Sequence, residues 1–231
     1  MKGTAMRTPF APLFTPTLAL VVIAALAACA PIDPPAAPPA LSSPSPAATG
    51  EEEPAGPTPA TVVLSTSLIL VNDAEGTAID HFDYFDDPTA AIAAFTEYFG
   101  GDPVVTPFPG NNHEWPGNFY HWDDFGIIDY VGGPGGSGED FGVRATATTV
   151  RGLDIETVGG IAVGDTAATA AAAGAIAVSQ EIEGNTYAWL ELDRISVDNS
   201  RPDELIYVYL TLSAPAGTIT QLTAPVANFG L

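Results

Sequence analysis

The chain reads as an α+β protein built of two similar small modules, each a short helix packed on an antiparallel sheet. Three observations carry this expectation. β-branched and aromatic runs bounded by turn residues recur after residue 61. Two segments instead carry helix start and stop signals. The order of these signals then repeats along the chain.

The first extended segments are Thr61–Leu64 and Ser67–Val71, followed by a turn at Asn72–Gly76 and a third extended run from Thr77 to Tyr84. A helix follows. Asp86 or Asp87 can cap it, Pro88 suits its first turn, Ile92, Phe95 and Phe99 form one apolar stripe, and Gly100 can supply the left-handed stop. In the second half Asp165 is the expected cap of a helix over Thr166–Ala173, and Gly174 its stop. A Tyr-x-Trp follows each helix, Tyr120–Trp122 and Tyr187–Trp189, and then an alternating strand, Val143–Ala147 and Ile206–Leu210. The offset between paired landmarks falls from 78 residues at Asp87/Asp165 to 65 at Gly152/Gly217, which places the longer loops in the first half. The expected organisation is therefore an N-terminal segment 1–28, a linker 29–60, a first module 61–147 and a second module 148–231. Both Tyr-x-Trp pairs are expected on the helix-covered face of their sheets, since i and i+2 share a side.

The N-terminal segment has its own character. Lys2 and Arg7 are its charged residues, and Leu18–Leu26 is an unbroken apolar run, too short to span a bilayer, which takes about 20 residues. It fits the apolar region of an export signal. The run ends in Leu26-Ala27-Ala28-Cys29, which resembles the lipobox of bacterial lipoproteins. The resemblance implies cleavage between Ala28 and Cys29, diacylglycerol on the Cys29 thiol, and a folded part held at the extracytoplasmic face of a cell membrane. Residues 30–60 are rich in Pro and Ala and nearly free of large apolar side chains, so they cannot offset the entropy of ordering and are expected to act as an irregular tether.

Charge excludes one class of partner. The chain holds 6 basic and 28 acidic residues. Removal of residues 1–28 leaves four arginines against those 28 acids, a formal −24. Such a chain repels phosphate backbones, so no nucleic-acid partner is expected. Cys29 is the sole cysteine, so no intrachain disulfide can form.

The sequence carries little recognisable chemistry. Gly133–Gly138 satisfies Gly-x-Gly-x-x-Gly, but Glu139 and Asp140 follow where a phosphate site needs a helix start. His113-Glu114 runs into Trp115-Pro116-Gly117, which cannot be a zinc-protease helix. No catalytic set and no cofactor are expected. His81, Asp83, His113, His121 and Asp123 are the candidate ligands for a cation or small molecule, because imidazole and carboxylate together suit a divalent ion.

One further stretch, Gly160-Ile161-Ala162-Val163-Gly164-Asp165-Thr166 ahead of an alanine-rich helix and Gly174, resembles the start of modules in the β-lactamase-inhibitor-protein-like family. That resemblance covers about fifteen residues. It implies a short helix on a small antiparallel sheet, often in tandem, with a binding surface made by the sheet and no chemistry. The functional expectation is a membrane-anchored, non-enzymatic binding module with a protein partner at the cell surface. The alternative is a cation- or small-ligand-binding protein using the histidine cluster, and a hydrolase is the third reading.

Overall fold

The computed structural model describes residues 56–110, 115–131, 133–135, 138–182, 185–198, 201–213 and 217–228. Cys29, Ala28 and residues 30–55 of the expected tether lie outside them, as does His113. Residues 56–59 are in neither helix nor strand. Ala60 already belongs to the fold: its N–H donates to the Asn72 carbonyl and its carbonyl accepts from Asp154 N–H.

In chain order the strands are β1 (Thr61–Leu64), β2 (Leu68–Asn72) and β3 (Ala78–Asp83), then helix α1 (Thr89–Tyr98). β4 (Val104–Phe108), β5 (Gly117–Trp122), β6 (Phe125–Tyr130), β7 (Phe141–Ala145), β8 (Thr149–Val150) and β9 (Leu153–Thr157) follow. Helix α2 (Ala167–Ala172) precedes β10 (Ile176–Ile182), β11 (Asn185–Asp198), β12 (Arg201–Leu212) and β13 (Ile219–Asn228).

The fold is β-rich, which corrects the expected α+β class of balanced helix-on-sheet modules. Thirteen strands stand against two short helices among the described residues, and they form two sheets. One has five strands in the order β3-β2-β1-β9-β8, and the other has eight in the order β10-β11-β12-β13-β7-β6-β5-β4. Each helix is followed by a four-strand antiparallel meander, and the two meanders join through β7 and β13 into one continuous sheet. A further sheet was not expected. Strand β1 pairs antiparallel with β2 and parallel with β9, so Thr61 lies beside Asp154. The strands just beyond residue 148 therefore share a sheet with the first strands of the fold.

The helices are small because their sequences give them little to bury. In α1, Phe95 is fully buried, with Ala91 and Phe99 beside it, while Ile92 is half-buried against the same core. Asp87 Oδ1 accepts the Thr89 N–H at 2.8 Å, and Gly100 takes the left-handed conformation that ends the helix. Helix α2 is capped by Thr166 rather than Asp165: the Thr166 hydroxyl accepts the Thr169 N–H at 3.1 Å. Asp165 instead accepts the Ala162 N–H and closes the preceding turn. Alanine side chains leave α2 with Ala170 as its one buried residue.

One core cluster takes side chains from both helices, the five-stranded sheet and one face of the eight-stranded sheet. Its centre is aromatic. Phe95 lies 4.9 Å from the Phe125 ring and 5.5 Å from Phe99, with Phe82, Tyr98 and Trp122 around it. The Trp122 indole N–H donates to the Gly101 carbonyl at 3.0 Å.

Register decides which residues face this core. Cross-strand partners share a face. Trp122, Phe125, Ala145, Leu222, Leu210 and Leu190 are successive partners and all are buried. The expectation that both Tyr-x-Trp pairs lie on one face is thereby overturned. Both pairs sit on the second strand of their meander, but Trp122 faces the core while Trp189 pairs with Thr211 on the opposite face. Leu190 fills the row that Trp122 begins, and an offset of one residue exchanges the two faces of a strand.

Candidate functional site

The second face of the eight-stranded sheet contributes nothing to the core cluster; even Ile128 and Tyr207, buried on it, stand outside that cluster. One row of partners crosses all eight strands there: Ile176, Glu191, Tyr209, Thr223, Arg144, Gly126, His121 and Val104. Neighbouring rows add Trp189, Tyr187, Phe119, Tyr130 and Phe108. Tyr187 is 53 % exposed, and Trp189, Phe119, Tyr130 and Tyr209 are half-buried. This is an aromatic, half-wet face in a strongly acidic chain.

Two clusters organise it. In the first, Trp189 and Tyr209 stack at 5.9 Å. Beneath them the Glu191 side chain is 1 % exposed; its Oε1 accepts the Trp189 indole N–H at 3.2 Å, and Arg194 Nε lies 3.1 Å from its Oε2. Burial, and next the Glu191 charge, push the Tyr207 hydroxyl well above the usual tyrosine range. Glu191 thus holds the Trp189 indole while it is paired with Arg194.

In the second cluster, glycine makes room. Gly126 lies between His121 on β5 and Arg144 on β7, and a Cβ there would overlap the Phe119 ring. Without one, Phe119 lies across the strand, with the His121 ring 3.7 Å from it and the Arg144 guanidinium carbon 5.5 Å from its centroid. A pocket of about 200 Å³ opens here, and Asp123, Asp124 and Thr146 also line it. Asp123 is held by Arg151 at 2.8 Å, and Asp124 Oδ1 accepts the Thr146 hydroxyl at 2.9 Å. The Arg151 hydrogen bond holds the Asp123 carboxyl below the usual carboxylate range.

Burial first, and the Arg144 charge second, hold the His121 imidazole below its ordinary range. Its folded form therefore binds a proton less readily than its unfolded form. His121 thus lowers stability progressively as pH falls through its unfolded pKa of about 6.5, and costs nothing above it. Arg144→Gln is expected to raise the His121 pKa, read from imidazole chemical shifts against pH. An unmoved titration would leave burial as the entire cause.

Of the five residues expected as ligands, His113 lies outside the described residues, and the other four divide between two pockets. His81 and Asp83, on β3, line a different pocket of about 250 Å³ with Asp86 and Asp87. There Asp83 Oδ1 accepts the Phe85 N–H, and Asp87 Oδ1 the Thr89 N–H, as turn and helix-start acceptors. His121 and Asp123 line the pocket that contains Arg144, whose charge opposes a cation. Among the described residues no group of three or more His, Cys, Asp or Glu is placed to hold a metal ion. Arg144, Phe119 and Gly126 were not singled out in the sequence. The usable signal was the two-residue alternation of Phe119 with His121 and of Gly142 with Arg144, which puts each pair on one face.

The fold and this face define a β-rich protein whose eight-stranded sheet sends apolar side chains from one face into the core and carries exposed and half-buried aromatics on the other. Comparison with protein-family models, with curated proteins and with solved structures finds no match to this chain. Among the described residues no helix is long and apolar enough to cross a membrane.

Proposed function

We propose that this chain is a lipid-anchored extracytoplasmic lipoprotein whose folded part is a non-enzymatic binding module. The outer face of the eight-stranded sheet is its contact surface and a protein at the cell surface is its partner. The observation that carries the reading is that face itself. It displays Tyr187, Trp189, Tyr209, Phe119 and Tyr130, residue types that anchor protein interfaces, while the opposite face of the same sheet sends Trp122, Phe125, Ala145, Leu222, Leu210 and Leu190 into the core. The anchor is supported by Leu26-Ala27-Ala28-Cys29 and by the Pro/Ala-rich stretch after it, long enough to hold a folded module away from a bilayer.

A photo-crosslinking amino acid placed at Tyr187, in the cells that make the protein, tests this. The expected result is one discrete protein adduct from position 187 and none from the exposed Ala168 on α2. Trp189→Ala should reduce the adduct at least about 10-fold, as loss of an interface anchor does. Equal adducts from both positions, or an adduct indifferent to Trp189→Ala, would refute the assignment.

A further inference from the structure

We infer that the pocket formed by Arg144, Phe119, His121 and Gly126 is a subsite for a carboxylate carried on an apolar stem, supplied by an Asp or Glu side chain of the partner. The inference rests on the reading of this face as the contact surface and adds the chemistry of its centre. Three observations converge on it. First, Arg144 stands without an acid. Of the arginines whose side chains are described, Arg151 pairs with Asp123 and Arg194 with Glu191, whereas Arg144 has no carboxylate at ion-pair distance among the described residues. Its Nε is buried with no hydrogen-bond partner. A partly desolvated guanidinium with no ion-pair partner is costly, and Arg144 stays unpaired although Asp123 and Asp124 line the same pocket, those carboxylates being engaged by Arg151 and by the Thr146 hydroxyl.

Second, the shape suits a stem and a fork. Phe119 lies over Gly126 and forms an apolar wall beside the guanidinium, which presents planar paired donors suited to a carboxylate. About 200 Å³ accommodates a short aliphatic stem with its carboxylate. Third, the charges select a monoanion. His121 is held toward its neutral form, and Asp124 lines the pocket with one oxygen engaged by Thr146. A single positive charge facing that carboxylate can hold one negative charge, and a phosphate dianion would meet repulsion.

The site is also central. Arg144 and Glu191 lie in the same cross-strand row, three strand steps apart, about 14 Å at the usual strand spacing. A partner that rests an aromatic or aliphatic patch on Trp189 and Tyr209 would therefore bring an acidic side chain to Arg144 within the same interface.

The test is a titration of the isotope-labelled full chain with N-acetyl-glutamate N-methylamide, and with its neutral glutamine counterpart. The expected result is saturable movement of the Arg144 Nε–H and Gly126 amide signals at millimolar glutamate analogue. At equal concentration the glutamine analogue should give less than about a fifth of the shift. Because the main readout comes from the unaltered chain, a poorly folding variant does not decide it. Arg144→Gln should abolish the saturation, and Arg144→Lys, which keeps the charge without the fork, should weaken it about 10-fold. Equal shifts from the two analogues, or saturation that survives Arg144→Gln, would overturn the inference. So would inorganic phosphate displacing the glutamate analogue with equal strength. If the Tyr187 adduct forms while the titration stays flat, the carboxylate assignment falls and the contact face stands. If the titration saturates while no adduct forms, the contact face falls and the carboxylate chemistry of the pocket stands.

Discussion

Phe95→Ala is expected to remove about 3–5 kcal/mol of folding stability, the usual cost of emptying a buried phenylalanine site. Phe95 is fully buried, and its ring has Phe82, Tyr98, Phe99, Trp122 and Phe125 as aromatic neighbours. Five rings cannot collapse into the space without breaking their mutual packing or the Trp122 hydrogen bond to Gly101. The residual cavity therefore stays large, which places the cost in the upper part of that range. Since a domain is held by about 5–15 kcal/mol in total, the variant should unfold at a much lower denaturant concentration with an unchanged slope. Phe85→Ala, at a side chain 41 % exposed, is the control and should change stability by no more than about 0.5 kcal/mol. A loss below about 1 kcal/mol at Phe95 would mean that α1 is not keyed into the sheet by this ring.

Cys29→Ser is expected to abolish fatty-acid labelling of the chain and to remove its stable membrane anchor. On the proposed lipoprotein reading, acyl transfer needs a thiol, and Cys29 is the sole cysteine in the sequence. Two acyl chains hold a protein at a bilayer where one holds it only marginally, so the loss should be nearly complete rather than graded. Metabolic labelling with an alkyne-bearing fatty acid, followed by fractionation after a high-salt wash, reads both effects. Label remaining on the serine variant, or a variant that still pellets with membranes after the wash, would show that the Leu26–Cys29 motif is not the anchor. The Tyr187 crosslink depends on location as well as on the face. A soluble Cys29→Ser form that loses the adduct while keeping its melting temperature would place the partner at the membrane.

The amino-acid sequence by itself determined the local elements of this fold. Thr61–Leu64 is a strand because it is β-branched and apolar, and Gly100 and Gly174 end helices because they tolerate positive φ. The excess of acid and the export-like N-terminal run are likewise readable without a structure, since both are sums or short patterns. What the tertiary structure alone decided is how those elements share sheets. The parallel pairing of β1 with β9 and the junction of β7 with β13 join residues far apart in the chain, and two-residue periodicity says nothing about which strand becomes a neighbour. The same limit hid the site. Tyr120-His121-Trp122 and Tyr187-Ala188-Trp189 look alike as strings, yet Leu190 takes the core row in the second meander and turns Trp189 outward. Arg144 is one arginine among several in the sequence. Among the arginines whose side chains are described, it becomes singular only when folding supplies Arg151 and Arg194 with carboxylates and leaves Arg144 facing Phe119 across a glycine. Electrostatic pairing of this kind depends on distances between strands, which the order of residues does not contain.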